Sequence, residues 1–278
     1  MTAAVTAAEA LRTATLALRE AGIEEAPRDA RRLLAHALDI PPDRVTLILP
    51  EPMTDAATYQ ALIARRIARE PVSKIIGRRD FYGRAFRVTP EVLDPRPETE
   101  LLVDLALEGT FSDVLDLGTG SGCLLLSLLA ERPGATGQGV DVSAPALAVA
   151  RANADDLGLA GRATFLQGDW FAPVTGRFEL IVSNPPYIAA SEMPELAPEV
   201  RDWDPALALT DQGDGLGAYR AILAGAAAHL VPGGRLIVEI GWQQGAEVAG
   251  LFRAAGLQDV AVKTDLAGRD RAVIGRNR

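Results

Sequence analysis

The sequence predicts an α/β protein: a doubly wound, mostly parallel sheet of seven strands, preceded by a small helical bundle. Three observations carry that prediction. Apolar residues recur at helical spacing over roughly the first seventy positions. From Leu101 onward, short β-type runs alternate with amphipathic helical stretches, the pattern of parallel strands joined by right-handed crossovers. Turns rich in glycine, aspartate or proline follow the strands, where ligands of such sheets bind.

Taken in order, residues 7–21 read as a helix with Leu11, Leu16 and Leu18 near one face and Gly22 as its stop. Residues 29–38 make a second, ended by Pro41-Pro42, and 55–69 another, with Leu62, Ile63 and Ile67 inward. Ile75-Ile76-Gly77 and the segment from Asp80 to Val88 then change the period, predicting a β-hairpin around Gly83. Asp94-Pro95-Arg96-Pro97 marks a boundary. The expected division is therefore a helical domain (1–72), a hairpin linker (73–92) and an α/β domain (93–278). In the last, strands are predicted at 113–117, 136–141, 163–166, 180–183, 234–240, 258–262 and 272–274. Helices are predicted near 98–107, 122–131, 144–155, 216–229 and 243–255.

Composition narrows the function classes. With 48% hydrophobic residues in 278, the chain can bury a real core. No apolar run reaches the ~18 residues of a membrane span, and no signal peptide is expected at the N-terminus. The single cysteine, Cys123, excludes an internal disulfide and fits a reducing, cytoplasmic setting. His36 and His229 stand far apart, and no His/Cys cluster has metal-ligand spacing, so no metal is expected. Residues 1–92 carry 14 Lys/Arg against 12 Asp/Glu, net +2; the rest carries 14 against 25, net −11. An acidic domain of this kind repels phosphate backbones, and no direct nucleic-acid contact is expected of it. No long apolar surface stripe stands out, so a monomer is expected.

Val114-Leu115-Asp116-Leu117 runs into Gly118-Thr119-Gly120-Ser121-Gly122, a strand, a glycine turn and a helix. Gly118 and Gly120 let backbone approach a ligand where a Cβ would collide, and Gly122 allows close helix–strand packing. A dinucleotide fingerprint requires G-x-G-x-x-G; here the third glycine position is Cys123, and Asp116 precedes the turn. A carboxylate there repels a pyrophosphate but attracts the ammonium and sulfonium of S-adenosylmethionine. Asp141, ending the second strand, is placed to accept ribose hydroxyls. Asp169 ends the third strand, where its carboxylate or a neighbouring N–H could read an adenine edge while Trp170 packs on the ring. Taken singly, Asp141 and Asp169 are also ordinary turn and cap residues.

Asn184-Pro185-Pro186-Tyr187 follows the apolar run Leu180-Ile181-Val182-Ser183. Two prolines fix φ and remove two N–H groups, leaving a stiff segment of bare acceptors. The Asn184 side-chain oxygen and the Pro185 carbonyl can each accept a hydrogen from one planar NH2 group, and Tyr187 offers an aromatic face. Asn184, Pro185, Pro186 and Tyr187 are thus the candidate catalytic and acceptor-binding residues. Asn184 is also a candidate cofactor contact. No general base is nominated, because these acceptors work without ionising. In Arg96-Pro97-Glu98-Thr99-Glu100, Glu98 is a candidate wall of the acceptor site, although helix capping explains the segment equally well. Cys123 is assigned no chemistry.

At these residues the chain resembles the HemK-type protein-(glutamine-N5) methyltransferases, which modify peptide-chain release factors. The resemblance runs almost end to end. It takes in Pro71-Val72, Ile76-Gly77, Phe81-Tyr82-Gly83, the segment from Pro95 to Glu100, the glycine turn, and Asn184-Pro185-Pro186-Tyr187-Ile188. Asp214-Gly215-Leu216, Tyr219-Arg220 and Glu239-Ile240-Gly241 extend it, while Lys74-Ile75 departs from the expected pair. It implies a class I S-adenosylmethionine-dependent methyltransferase fold, with S-adenosylhomocysteine as the cofactor product. Gly118, Thr119, Gly120, Ser121, Gly122, Asp141, Asp169, Trp170 and Asn184 would hold the cofactor. The acceptor would be the glutamine of the Gly-Gly-Gln motif of bacterial release factors 1 and 2, gripped in part by the N-terminal bundle. Two rivals stand beside it. A nucleic-acid adenine-N6 methyltransferase shares the Asn-Pro-Pro-Tyr clamp but calls for a basic recognition domain. A non-catalytic cofactor-binding scaffold has no need of an intact clamp.

Overall fold

In the computed structural model, which describes residues 5–278, the chain forms two compact units, one ending at Gly77 and the other beginning at Arg78.

The first unit is helical: α1 (Ala7–Glu20), α2 (Ala26–Ala37), α3 (Val45–Ile48), α4 (Ala56–Ile67) and α5 (Val72–Ile76). Helix α1 opens on a capping box, in which the Thr6 side chain accepts from the Glu9 N–H and the Glu9 carboxylate accepts from the Thr6 N–H. Its inward stripe is Ala7, Ala14 and Leu18; Leu11 is half-buried and Leu16 is exposed, so the expected leucine face holds only at Leu18. Small residues at Ala7 and Ala14 let α1 approach its neighbours closely. Helix α2 starts three residues earlier than expected because Pro27 fits its first turn. Asp29 and Arg66, both buried, form an ion pair at 2.8 Å that ties α2 to α4. Ile75 and Ile76 complete α5 instead of opening the hairpin. Gly77, at φ +76°, ends that helix in the left-handed conformation.

The second unit begins with the hairpin of β1 (Arg78–Phe81) and β2 (Arg84–Arg87). Phe81 and Phe86 are buried edge to face, their ring centres 6.1 Å apart. The seven-stranded sheet comprises β3 (Asp113–Leu117), β4 (Thr136–Asp141), β5 (Ala163–Gln167), β6 (Phe178–Ser183), β7 (Leu230–Glu239), β8 (Gln258–Thr264) and β9 (Asp270–Arg276). Its order is β5-β4-β3-β6-β7-β9-β8. All pairs from β5 to β7 are parallel, and β9 runs antiparallel to both neighbours. Five residues separate β8 from β9, too few for a crossover, so a tight return is forced.

Helices α6 (Glu100–Leu107), α7 (Cys123–Glu131), α8 (Ala144–Asp156), α11 (Gly217–His229) and α12 (Gly245–Ala254) cover the sheet. Between β6 and α11 lie two short turns, α9 (Pro198–Arg201) and α10 (Ala206–Leu209), each begun at or just after a proline and too short for a periodic signal. Side chains alternate across the sheet. Val114, Leu180 and Val182 join one core with Leu102 and Leu125; Leu115, Leu117 and Ile181 join the other with Tyr219 and Phe252. No helix among the described residues is long and apolar enough to cross a membrane.

Candidate active site

Chain order reverses between β3 and β6, which lie side by side at the middle of the sheet, so their carboxyl ends open a crevice. Leu117 pairs with Ser183, and the Ser183 hydroxyl donates to the Leu117 carbonyl at 2.7 Å. The glycine turn and the Asn-Pro-Pro-Tyr segment therefore leave adjacent strand ends from a pinned base.

One cavity of about 310 Å³ occupies this crevice. Its lining includes Gly118, Thr119, Gly120 and Ser121 of the glycine turn, Asp141, Asp169 and Trp170 at or after the ends of the next two strands, and Asn184 and Pro186. Gly118 (φ +71°) and Gly120 (φ +53°) need the left-handed backbone, and a Cβ on either would meet no protein atom within 4 Å. Both therefore leave open space on the cavity side, where backbone can be approached closely. Gly122 differs: it does not line the cavity, and a Cβ there would press on Leu126 and Ala150 at 3.2–3.3 Å. Its surroundings are those of α7 packed on α8. Asn153 of α8 donates to the Ser121 carbonyl at 2.9 Å and pins the turn from behind.

The charged side chains lining this cavity are Glu91, Asp116, Asp141, Asp169 and Arg96, and Arg96 is already paired with Asp204 at 2.7 Å. Such a lining disfavours a pyrophosphate and suits a ligand bearing positive charge. Asp116 is buried and accepts from the Thr119 hydroxyl at 2.6 Å. Burial pushes its carboxyl up to about 7, with the Asp141 charge adding to that and the Thr119 bond opposing it. Asp141 receives the Gly120 N–H on one oxygen and the Ser143 N–H on the other, each at 2.9 Å. Each oxygen keeps a lone pair for a ligand hydroxyl. Trp170, at φ +45°, packs partly against the core and partly along the cavity, with Asp169 exposed beside it. Cys123 also lines the cavity, and burial lifts its thiol to about 12, which leaves it protonated and inert.

A second cavity, of about 270 Å³, lies beyond Asn184 and is lined by Glu98, Tyr187, Ile188, Glu239 and Arg271. Asn184, Leu93, Arg96 and Ala208 line both cavities. Asn184 thus stands where the two meet. Pro185 is buried and lines neither, so its side chain is support; Glu100 turns away to accept the Tyr82 N–H at 2.8 Å.

Beneath Asn184 runs a buried chain of hydrogen bonds. The Asn184 amide nitrogen donates to the Thr99 hydroxyl at 3.1 Å, and that hydroxyl donates to Glu239 Oε2 at 2.6 Å. The Tyr187 hydroxyl donates to Glu239 Oε1 at 3.3 Å. Glu239 is 1% exposed, and burial raises its carboxyl to about 7 against the Thr99 bond and the Arg271 charge. The segment after the clamp is held as firmly. The Gln244 side-chain NH2 donates to the Tyr187 and Gly215 carbonyls at 3.0 and 3.3 Å. Gly215 (φ +77°) passes so close that a Cβ would sit 2.5 Å from the Tyr187 oxygen.

Thr99, Glu239 and Gln244 carried no assigned role in the sequence reading. A signal existed for one of them: Glu239 is a charged residue ending the apolar run Leu236-Ile237-Val238, as Asp116 interrupts Leu115 and Leu117.

Known proteins resemble the chain along most of its length. Residues 9–77 match the family described as the PrmC N-terminal domain, and residues 93–199 the methyltransferase small domain. The release factor glutamine methyltransferase of Cereibacter sphaeroides is 60% identical over 272 residues, 97% of this chain and 98% of its own length. That of Rhodospirillum rubrum is 47% identical over 269 residues, covering 94% and 82%. Among solved structures, a methyltransferase from Pyrococcus furiosus is similar in fold, with a TM-score of 0.52 and 17% identity over 78% of this chain and 96% of that one. The mostly parallel sheet is the class I methyltransferase fold. With near full-length identity of this order, and a clamp standing between two cavities at the switch point of the sheet, the chain belongs to the release factor glutamine methyltransferase family.

Proposed function

We propose that this enzyme transfers a methyl group from S-adenosylmethionine to the side-chain amide nitrogen, N5, of the glutamine in the Gly-Gly-Gln motif of release factors 1 and 2. The observation that carries the reading is that Asn184 lines both cavities. One cavity, with its acidic lining and open glycine turn, takes the cofactor, and the other takes the glutamine side chain. When bound, S-adenosylmethionine supplies an electrophilic methyl on a positively charged sulfur. Gly118, Thr119, Gly120 and Ser121 give it close backbone approach, Asp141 accepts from its ribose, and Asp169 and Trp170 flank its adenine. Asp116 offers the negative charge that its ammonium and sulfonium groups favour.

An amide nitrogen is a weak nucleophile because its lone pair is delocalised into the carbonyl. The Asn184 oxygen and the Pro185 carbonyl accept its two hydrogens, turn the nitrogen toward the cofactor cavity, and favour positive charge on it. Tyr187 lies along the carboxamide plane and Glu98 stands at the cavity wall. The N-terminal unit grips the release factor, the setting is cytoplasmic, and the enzyme acts as a monomer.

The test is incubation with methyl-labelled S-adenosylmethionine and unmodified release factor, with the site located by mass spectrometry. Label on the motif glutamine, absent when that glutamine is replaced by asparagine, is the expected result. Label on DNA or RNA, or on no macromolecule at all, refutes the reading.

A further inference from the structure

We propose that Glu239, acting through the Thr99 hydroxyl, is the positioning residue that decides which end of the Asn184 carboxamide faces the acceptor. The claim rests on the acceptor being the planar NH2 group argued above, and it adds a determinant of orientation to it.

An asparagine amide is nearly symmetric in shape, and its two ends are opposite in function. Presented oxygen first, it accepts from the acceptor NH2; presented nitrogen first, it sets donor against donor and the clamp fails. Asn184 does not settle this alone, since its neighbour Thr99 can donate or accept. The Thr99 hydroxyl has one proton. An ionised carboxylate only accepts, so at 2.6 Å Glu239 Oε2 claims that proton. What remains on Thr99 Oγ1 is an acceptor, 3.1 Å from the Asn184 nitrogen. The NH2 end is thereby drawn to Thr99 and the oxygen end is left for the substrate. The Tyr187 hydroxyl, donating to the other carboxylate oxygen, holds Glu239 from the acceptor side.

Protonation of Glu239 undoes the polarity of the chain. A neutral carboxyl can donate to Thr99, freeing the Thr99 proton for the Asn184 oxygen and favouring the reversed amide. Groups facing Glu239 from the surrounding elements act in both directions: Arg271 of β9 favours the ionised form, Glu98 and burial oppose it, and Tyr187, Tyr219 and Cys123, each held protonated by burial, face it as neutral groups. Burial is the largest influence and brings the carboxyl to about 7, near working pH. Because the ionised form is the productive one, turnover rises as pH increases through that value.

The experiment combines kinetics with a readout independent of turnover. Thr99→Val keeps the side chain's shape and removes the hydroxyl; kcat should fall about tenfold or more, by the worth of a buried polar contact, with KM for release factor nearly unchanged. Thr99→Ser should restore most of it. The rise of kcat near pH 7 should flatten in Glu239→Gln. In NMR spectra of the wild-type chain, the Asn184 side-chain NH2 signals should shift with pH around the same midpoint, and in Thr99→Val they should not. Unchanged kcat in Thr99→Val, or a pH step that survives in Glu239→Gln, overturns the proposal while leaving the reaction itself standing. If wild-type enzyme methylates no release factor, the functional reading falls, and the NMR titration decides the positioning claim by itself. Asn184 signals indifferent to pH in the wild-type chain overturn it whether or not any variant folds.

Discussion

Replacing Asp116 by Asn should make the protein more stable and a poorer methyltransferase, and the size of the first effect follows from the site. Asp116 is 1% exposed at the end of β3, and burial carries its carboxyl from 3.8 to about 7. Each unit of such a shift is worth about 1.4 kcal/mol, so an ionised Asp116 costs the folded state on the order of 4 kcal/mol. A raised folded-state pKa means that the native protein holds this proton between roughly pH 4 and 7 while the unfolded chain has lost it. That stabilisation is complete below about pH 4 and is lost as pH rises through about 7. Asparagine keeps the acceptor for the Thr119 hydroxyl and has no proton to lose. Urea unfolding of both proteins across pH 4.5 to 8 should therefore show a stability difference that grows in favour of the variant and levels off above about pH 7. Glu239 titrates in the same range in both proteins and cancels. On the function proposed above, isothermal titration with S-adenosylmethionine should show weaker binding by the variant, which lacks the negative charge offered to the ligand. A difference that does not vary with pH would refute the argument that burial of this carboxylate governs its energetics.

Other positions give independent tests. Asn184→Ala removes the acceptor where the cavities meet, and kcat should drop about 10²-fold or more in the labelled-methyl assay, with cofactor still bound in equilibrium dialysis. Gly215→Ala places a methyl 2.5 Å from the Tyr187 oxygen at φ +77°. It should cost about 1–3 kcal/mol in chemical denaturation, and more in kcat than that stability loss alone would cause. In the helical unit, Arg66→Ala leaves Asp29 buried beside a gap. A loss of about 3–5 kcal/mol should be read from faster hydrogen exchange across α2 and α4, with kcat on a saturating acceptor changed far less.

The α/β unit was legible because its signals are local. The central strands β3, β6 and β7 each carry an apolar run, β4 ends on Asp141 and β5 runs into Gly168, and the helical stretches between strands are long enough to show their period. Strand 113–117 and strand 136–141 lie where the pattern puts them. Elsewhere local signals misled. Ile75-Ile76 is β-branched and reads as strand, yet Pro71 opens and Gly77 closes a helical turn around it. The stretch from Pro198 to Leu209 folds into single turns, which have no period to detect. Strand β7 begins at Leu230, four residues before the expected start, because a register shift against Phe178 and Leu180 accommodates Pro232 and Gly233.

By itself the sequence determined the chemistry on offer: a glycine turn after an acidic strand, and a stiff acceptor-rich clamp after a second strand. Those are properties of consecutive residues, set by φ restriction, missing N–H groups and missing Cβ atoms. Only the tertiary structure decided that Thr99, Asn184 and Glu239, separated by 85 and 140 positions from Thr99, share one line of hydrogen bonds. It also decided that Gly122 packs against Leu126 and Ala150 while Gly118 and Gly120 face open space. The reason is physical. A hydrogen bond's direction and a glycine's purpose depend on which atoms arrive from other elements, and no spacing along one chain segment encodes that arrival.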